Sequence, residues 1–312
     1  MGAGVARRRK GRPLHGWLVV DKPGGMTSTQ VVGRVRRALD AQKVGHGGTL
    51  DPLATGVLPL ALGEATKTVN YIVDAGKSYR FTLRWGQETS TDDSEGAVVA
   101  EHDKRPTRDE IEAGLGALTG EIAQIPPRFS AIKVDGRRAY DMARAQESFD
   151  LEPRQVRIDR FALVAMDDAD HARFEVDCGK GAYMRALARD LGRALGTAAH
   201  ITALRRTAVG GFDESRAISL ETLESLGHSA AASGHLLPLD AALADIPALA
   251  LSEMEAGRLR CGQAVSLLAR VHKDRIQGLH QGAVVYATSG GTPVALARFK
   301  AGTLLPIRVL NL

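Results

Sequence analysis

Gly45-His46-Gly47-Gly48-Thr49-Leu50-Asp51-Pro52-Leu53-Ala54-Thr55-Gly56-Val57-Leu58 is the stretch around which this 312-residue chain is organised. Its four glycines allow close backbone approach and positive φ. Asp51 directly precedes Pro52, which biases it away from helix towards an extended or turn conformation. His46 lies five residues upstream on the same stretch. From Val57 to Leu62 the chain is apolar and reads as a buried strand, although Pro59 argues against a regular ladder there. A carboxylate and an imidazole thus stand on a glycine-rich loop just ahead of the core, where active sites are often built. On the residues alone, a catalytic Asp51 competes with an Asp that only hydrogen-bonds its own turn. His46 and Asp51 by themselves are too few ligands for a metal site.

The lead-in Lys43-Val44-Gly45-His46 and the continuation Leu62-Gly63-Glu64-Ala65-Thr66-Lys67 extend the pattern. Together they resemble the catalytic motif of the tRNA pseudouridine synthase B family, bacterial enzymes that modify uridine 55 in the T-loop of tRNA. The family pattern usually reads Gly-His-Thr-Gly-Thr/Ala-Leu-Asp-Pro. Gly47 stands where Thr is usual, and Asp51 keeps its place. Further matches carry the resemblance over most of residues 15–212.

Composition sets the frame. The length suits a large catalytic domain with a small appendage. A hydrophobic content of 44% is ample for a folded core. No apolar run reaches the ~18 residues of a membrane span. The basic N-terminus is not followed by the apolar segment of a signal peptide. Cys178 and Cys261 therefore read as two reduced thiols of a cytoplasmic protein. The net charge of +5 is unevenly spread: residues 1–37 carry nine Lys/Arg and one acid, so the rest of the chain is slightly negative. That suits an N-terminal side facing a polyanion, with residues 1–13 expected as a solvated, disordered tail.

Trp17–Val20 reads as a strand, Asp21–Gly25 as a turn, and Ser28 as the cap of a helix with Val31, Val32, Val35 and Leu39 on its apolar face. Asp21–Ser28 also resembles the family's opening motif. Lys22 in it is expected either to hold a phosphate or to brace the catalytic loop. A helix is expected around Ala65–Val73. Tyr79, Phe81, Leu83 and Trp85 alternate with polar residues in the clearest strand of the chain. Asp92–Gly96 is expected as a turn before a returning strand at Ala97–Ala100, and Thr107–Glu110 as a capping box for a helix to about Leu118.

Residues 121–153 combine Pro126-Pro127, an Asp135-Gly136 hairpin signal, and the cations Arg128, Lys133, Arg137, Arg138 and Arg144 interleaved with Phe129 and Tyr140. Cations with aromatics on a protruding hairpin suit phosphate neutralisation plus base stacking, or else an ordinary solvated insertion. Ser130-Ala131-Ile132-Lys133 resembles the family's RNA-gripping insertion and favours the first reading. Strands follow at Val156–Ala165 and Ala172–Cys178. Gly179–Arg185 enters a helix carrying Leu187, Leu191 and Leu195, and Ala203–Val209 is a strand. Residues 213–248 form a connector with a short helix near Leu220–Leu226. From about Leu251, a helix at Ser252–Arg260 and strands at Ala283–Tyr286, Val294–Phe299 and Leu304–Leu310 suggest a small β-barrel. The expected organisation is a catalytic domain over 14–248 and an RNA-binding domain over 249–312. The expected fold class is α+β, a mixed, mainly antiparallel sheet flanked by helices and loops. The family's C-terminal domain is a PUA-type β-barrel.

Other chemistries fail on spacing. Gly76-Lys77-Ser78 lacks the earlier glycine of a phosphate-binding loop, because position 71 is tyrosine. The chain contains no Gly-x-Ser-x-Gly, Cys-x-x-Cys or His-Glu-x-x-His. No metal and no cofactor are expected.

The resemblance implies a uridine isomerase acting on the tRNA T-stem-loop. Asp51 is then the nucleophile, Tyr79 stacks on the target base, and Arg185 pairs with Asp51. Tyr183 and Leu204 shape the pocket, and His46 fills the gap left by the extruded uridine. Lys22, Arg128, Lys133 and Arg137 contact RNA. A monomer without an obligatory protein partner is expected. Three alternatives stay open: a non-catalytic tRNA-binding protein, a guide-RNA-dependent relative, and a mononucleotide enzyme.

Overall fold

The structure is a computed structural model that describes residues 11–130, 132–134, 136–145, 147–268 and 274–312. Ala131, Asp135 of the hairpin signal, and residues 1–10 of the expected tail lie outside the described residues. Residues 11–13 are not part of any tail: Arg12 bridges to Ala41 and donates to the His228 carbonyl.

The first strand, β1 (Gly16–Lys22), is longer than its apolar core, because Asp21 and Lys22 continue the ladder to β3 (Thr55–Leu62). Helix α1 (Ser28–Ala38) is capped by Thr27 in a reciprocal box with Gln30. Ser28, expected as the cap, is instead buried in the first turn. Short β2 (Val44–His46) pairs with the far end of β3. On the side of β3 away from β1, Pro59 lies between the part that pairs with β2 and the part, Thr55–Gly56, that pairs with Arg205–Arg206, so the ladder there is interrupted and a missing N–H is tolerated. The helix expected over Ala65–Val73 splits into a 3₁₀ turn, Gly63–Lys67, and α2 (Val69–Asp74).

The alternating strand is β4 (Lys77–Trp85), with Phe81, Leu83 and Trp85 on its buried face. Phe81 stacks on Phe174 at 5.4 Å, and Trp85 meets Phe174 edge-on. Strands β5 (Gln87–Thr89) and β6 (Val98–Glu101) make the expected hairpin. Helix α3 (Arg108–Leu115) opens on the expected Thr107–Glu110 capping box. Strand β7 (Gly120–Gln124) corrects the boundary of the insertion. It joins the main sheet by pairing with residues 154–158, so the protruding segment begins only at 125. That segment holds β8 (Lys133–Val134), β9 (Arg137–Arg138) and α4 (Ala139–Arg144). Then come β10 (Arg154–Met166), β11 (His171–Cys178), α5 (Met184–Ala194), β12 (Ala199–Val209), β13 (Phe212–Asp213), β14 (Ile218–Ser219), α6 (Leu220–Leu226) and α7 (Ala230–Gly234).

These strands form a ten-stranded sheet in the order β14-β1-β3-β12-β4-β11-β10-β7, with β13 on β12 and β2 on β3. Only the β1/β14 and β3/β12 pairs are parallel, so the sheet is mixed and mainly antiparallel, as expected. Its centre is the meeting of β3, β12 and β4, and the Asp51 loop, Arg206 and Tyr79 all sit there. Helices α1, α5 and α6 bury their apolar faces on one side of the sheet, with Val31, Val35, Leu187, Leu191 and Leu223 in one core. Each such side chain, fully buried, contributes about 1.5–3 kcal/mol.

The C-terminal part is β15 (Ala248–Ala250), α8 (Glu253–Arg260), β16 (Val265–Ser266), β17 (Val284–Ser289), β18 (Thr292–Lys300) and β19 (Thr303–Val309). Its strands run in the order β15-β17-β18-β19-β16, a small curled sheet around α8 in keeping with the expected barrel-like architecture. A second core joins this sheet to the main one through Trp17, Ile72, Phe212, Leu296 and Leu310. Cys178 is buried and Cys261 exposed, both as free thiols. Among the described residues, no helix is long and apolar enough to cross a membrane.

Candidate active site

The loop between β2 and β3 places its carbonyls where water cannot reach them all, so the protein must supply donors. Three side chains from three elements do this. The Ser28 hydroxyl accepts from the Leu50 N–H at 2.9 Å and donates to the Leu50 carbonyl at 3.1 Å. The Lys22 ammonium, fully buried, donates to the carbonyls of Pro23 (2.8 Å), Pro52 (3.1 Å) and Ala54 (2.6 Å). The Arg206 guanidinium, also buried, donates to Val57 (2.8 Å), Gly48 (3.2 Å) and Thr49 (3.3 Å). Where β3 begins to run beside β12, Gly56 has φ +98°, and a Cβ there would lie 2.2 Å from the Arg206 carbonyl. Only glycine fits that crossing.

Asp51 projects from this braced loop towards the first turn of α5. Its Oδ2 lies 2.9 Å from Arg185 Nη2, and the Arg185 side chain is 4% exposed. A buried charge is tolerated when paired and fully hydrogen-bonded. Arg185 is paired further with Asp93 (3.4 Å), and its two Nη groups donate to the carbonyls of Thr91 (3.0 Å) and Phe129 (2.9 Å), while its Nε is buried without a hydrogen-bond partner among the described residues. One turn later, Arg189 pairs with Asp92 at 3.0 Å and donates to the Ile125 carbonyl at 2.7 Å. The segment read as a plain acidic turn thus supplies two buried counter-charges to α5.

Asp51 opens onto two clefts. One, of about 550 Å³, is lined by Tyr79, Tyr183, Leu204 and Val156, with Lys77, Arg154 and Lys180 also on its wall. The other, of about 630 Å³, is lined by His46, Thr27, Glu95, Phe129, Lys133, Tyr140 and Arg144. Burial raises the pKa of the Tyr79 phenol, against the opposing charge of Arg206. Burial, reinforced by the charge of Asp51, does the same for Tyr183. Both phenols therefore stay protonated at neutral pH. Burial, then the Arg206 charge, lowers the pKa of His46 and keeps its ring neutral. Desolvation brings Lys22 down to about 8, with the Asp51 charge acting in the opposite direction. The Glu95 carboxyl is raised by desolvation and by the nearby Asp93 and Asp51.

The structure therefore gathers Asp51, Tyr79, Arg185, His46, Tyr183 and Leu204 around one point. Three residues expected to touch RNA are engaged otherwise. Lys22 cannot reach a phosphate, because it is buried with its donors spent on loop carbonyls. Arg137 makes a bidentate pair with Glu147 at 2.7 and 2.8 Å. Arg128 donates to the Glu147 carbonyl and lies over the Phe149 ring. Lys133 is exposed on the wall of the second cleft.

Sequence reasoning missed Ser28 as a loop brace, Arg206, Asp93 and Gln124. Gln124 is buried and clamps Tyr183 from both sides, accepting its N–H at 2.8 Å and donating to its carbonyl at 3.1 Å. For Arg206 a signal existed: two arginines inside a strand that otherwise reads as core. For Asp93 and Gln124 there was none, since their partners are remote in sequence.

The family model described as TruB family pseudouridylate synthase (N terminal domain) matches residues 36–184. The model described as tRNA pseudouridylate synthase B C-terminal domain matches residues 185–244. Together they define a pseudouridylate synthase, an enzyme that isomerises uridine. The curated relatives narrow this. The tRNA pseudouridine synthase B of Rhodospirillum rubrum is 53% identical over 308 residues, 99% of this chain and 100% of that protein. That of Caulobacter vibrioides is 54% identical over 309 residues, again 99% and 100%. This chain belongs to the TruB family. Among solved structures, it superposes on one titled as a Cbf5-Nop10-Gar1 complex with TM-score 0.69 and 26% identity, covering 92% of this chain and 79% of that one. A structure titled as an H/ACA RNP bound to a substrate RNA containing 2'-deoxyuridine shares the fold, with TM-score 0.73 and 23% identity over 99% and 92% of the two chains.

Proposed function

We propose that this enzyme converts uridine 55 in the T-loop of tRNA to pseudouridine, with Asp51 as the nucleophilic carboxylate. The reaction breaks the N1–C1′ bond, turns the uracil and rejoins it through C5. The C5 proton is lost and N1 ends protonated, so atoms and charge balance without a redox partner. The observation that carries this reading is the Asp51–Arg185 pair, 2.9 Å long, standing where two clefts meet, each lined by both aromatic rings and cations. The Arg185 guanidinium, 2.9 Å away, holds the Asp51 carboxylate in a fixed orientation. The carboxylate can then stabilise positive charge at C1′ as uracilate departs.

Tyr79 and Tyr183 take the extruded uracil between them and the Leu204 side chain. Extrusion costs a few kcal/mol, and stacking on an aromatic returns about 1–3 kcal/mol per base. His46, on the other side of Asp51 and neutral, fills the vacated place in the RNA stack. Lys133 and Arg144 on the second cleft meet the backbone of the loop. The relatives more than 50% identical to this chain carry the same functional name, which supports tRNA as the substrate.

The test uses purified protein and an unmodified T-stem-loop RNA, with no other protein present. Wild type converts the T-loop uridine, while Asp51→Asn binds the RNA and leaves it unchanged. Normal conversion by the mutant would remove Asp51 from the chemistry. Binding without conversion by wild type would favour a tRNA-binding protein. Conversion only after a guide RNA is added would favour a guide-dependent enzyme.

A further inference from the structure

Gly47 departs from the family pattern, and its surroundings explain the departure. It is a buried residue, and its φ is not among the positive ones, so its backbone admits other residues. The space does not. A Cβ at 47 would lie 2.6 Å from Ile72 Cγ2, 3.3 Å from Ile72 Cβ and 3.3 Å from Trp17 Cζ3. Ile72 is 2% exposed, and its β-branch cannot swing aside within α2. Trp17 is fully buried against Phe212 at 5.4 Å. The volume that a side chain at 47 would occupy is thus already filled from below by Ile72.

Helix α2 is well placed to transmit this contact. Its 3₁₀ lead-in is tied to the end of β19, where the Lys67 ammonium donates to the Val309 carbonyl at 2.7 Å and Glu64 accepts the Asn311 N–H at 2.8 Å. The next residue, Val73, lines the cleft that holds Tyr79. After α2 the chain passes directly into β4 and Tyr79. The residue before Gly47 is His46, and Asp51 follows four residues later. Braces from Ser28, Lys22 and Arg206 hold the Leu50–Val57 part of the loop and the Gly48 and Thr49 carbonyls. Gly47 itself has its N–H on the Pro59 carbonyl and its apolar face on Ile72.

We infer that Ile72 is a positioning residue: its Cγ2 methyl, packed under Gly47, sets the height of the catalytic loop and so the aim of Asp51 relative to Tyr79. This rests on the reading of Asp51 given above. It makes Gly47 and Ile72 a size-matched pair, in which a larger residue at one position demands a smaller one at the other. Misplacement by about 1 Å can cost up to roughly a hundredfold in rate, so either single change should be felt in turnover.

The experiment measures two things on the full chain. The first is hydrogen exchange at the Leu50 amide, which reports the loop without any RNA. The second is single-turnover conversion of the T-stem-loop, with affinity measured on the pseudouridine-containing product RNA. For Gly47→Ala and for Ile72→Ala we expect faster Leu50 exchange, turnover reduced tenfold or more, and product-RNA affinity within about twofold of wild type. Ile72→Val keeps both Cγ atoms and should behave as wild type, which guards against Ile72→Ala merely failing to fold. The double variant Gly47→Ala/Ile72→Ala should recover both loop protection and turnover relative to Gly47→Ala. A double variant no better than the worse single variant would overturn the inference, as would an Ile72→Ala variant with unchanged exchange and turnover. If wild type fails to convert the RNA, the reading of Asp51 falls, while the exchange measurements still decide whether Ile72 holds the loop.

Discussion

The Ser28 hydroxyl brackets Leu50, accepting its N–H at 2.9 Å and donating to its carbonyl at 3.1 Å, one residue before Asp51. A residue that looks like an ordinary helix-start serine is therefore a brace for the Asp51 loop. In Ser28→Ala both Leu50 groups lose their partner inside the protein, which costs about 1–3 kcal/mol. We expect a lower melting temperature and reduced turnover, with RNA affinity little changed. Thermal unfolding and single-turnover kinetics would check this, and an unchanged variant would show that the bracket is dispensable.

Arg206 feeds the loop carbonyls of Gly48 and Thr49 and that of Val57 in β3 from inside the sheet. A lysine has one ammonium and no planar fork, so it cannot span Val57, Gly48 and Thr49 together. Arg206→Lys should cost about 1–3 kcal/mol of stability through the carbonyls left unpaired. Turnover should fall at least tenfold, because the loop and Tyr79 share this guanidinium's neighbourhood. Wild-type kinetics in the variant would refute the role.

Glu147 holds Arg137 in a bidentate, solvent-exposed pair on the protruding segment. Glu147→Gln removes the competing charge and frees Arg137 for phosphate. RNA binding should tighten, and the slope of log affinity against log salt should steepen by about 0.7–0.9 if one more phosphate is neutralised. Melting should hardly move, since exposed pairs add little. A salt slope identical to wild type would mean that Arg137 points away from the RNA.

The pH dependence follows from Lys22. Its pKa is about 8 in the folded protein and 10.5 ordinarily. Between these values the unfolded chain binds the proton that the folded chain has released, so the Lys22 contribution to stability rises with pH across that window. Activity should move the other way. Above about pH 8 the neutral amine loses one donor to the carbonyls of Pro23, Pro52 and Ala54, and the loop loosens. An alkaline limb in the pH–rate profile near 8 should therefore vanish in Lys22→Arg, whose charge does not titrate. A limb that persists unchanged in that variant would assign it to another group.

Much of the fold could be read directly. The alternation in β4, the capping box before α3 and the strand from Val57 to Leu62 are local patterns, fixed by side-chain period and backbone chemistry. Boundaries failed where tertiary pairing overrode local signals. Asp21 and Lys22 look like a turn but continue β1 because β3 lies alongside. Gly120–Gln124 looks like the start of an insertion but is an edge strand of the main sheet.

By itself, the sequence determined the Asp51 loop, the basic and aromatic character of the protruding segment, and the resemblance that joined them to one chemistry. These depend on residue type and short spacing. Only the tertiary structure decided what holds the loop and which cations are available. Lys22, Ser28 and Arg206 reach it from distances of roughly 20 to 160 residues along the chain. Arg137 is claimed by Glu147, and Gly47 by Ile72 beneath it. Buried carbonyls must be paired and buried volume can be filled only once, and both conditions are settled by which segments meet in space.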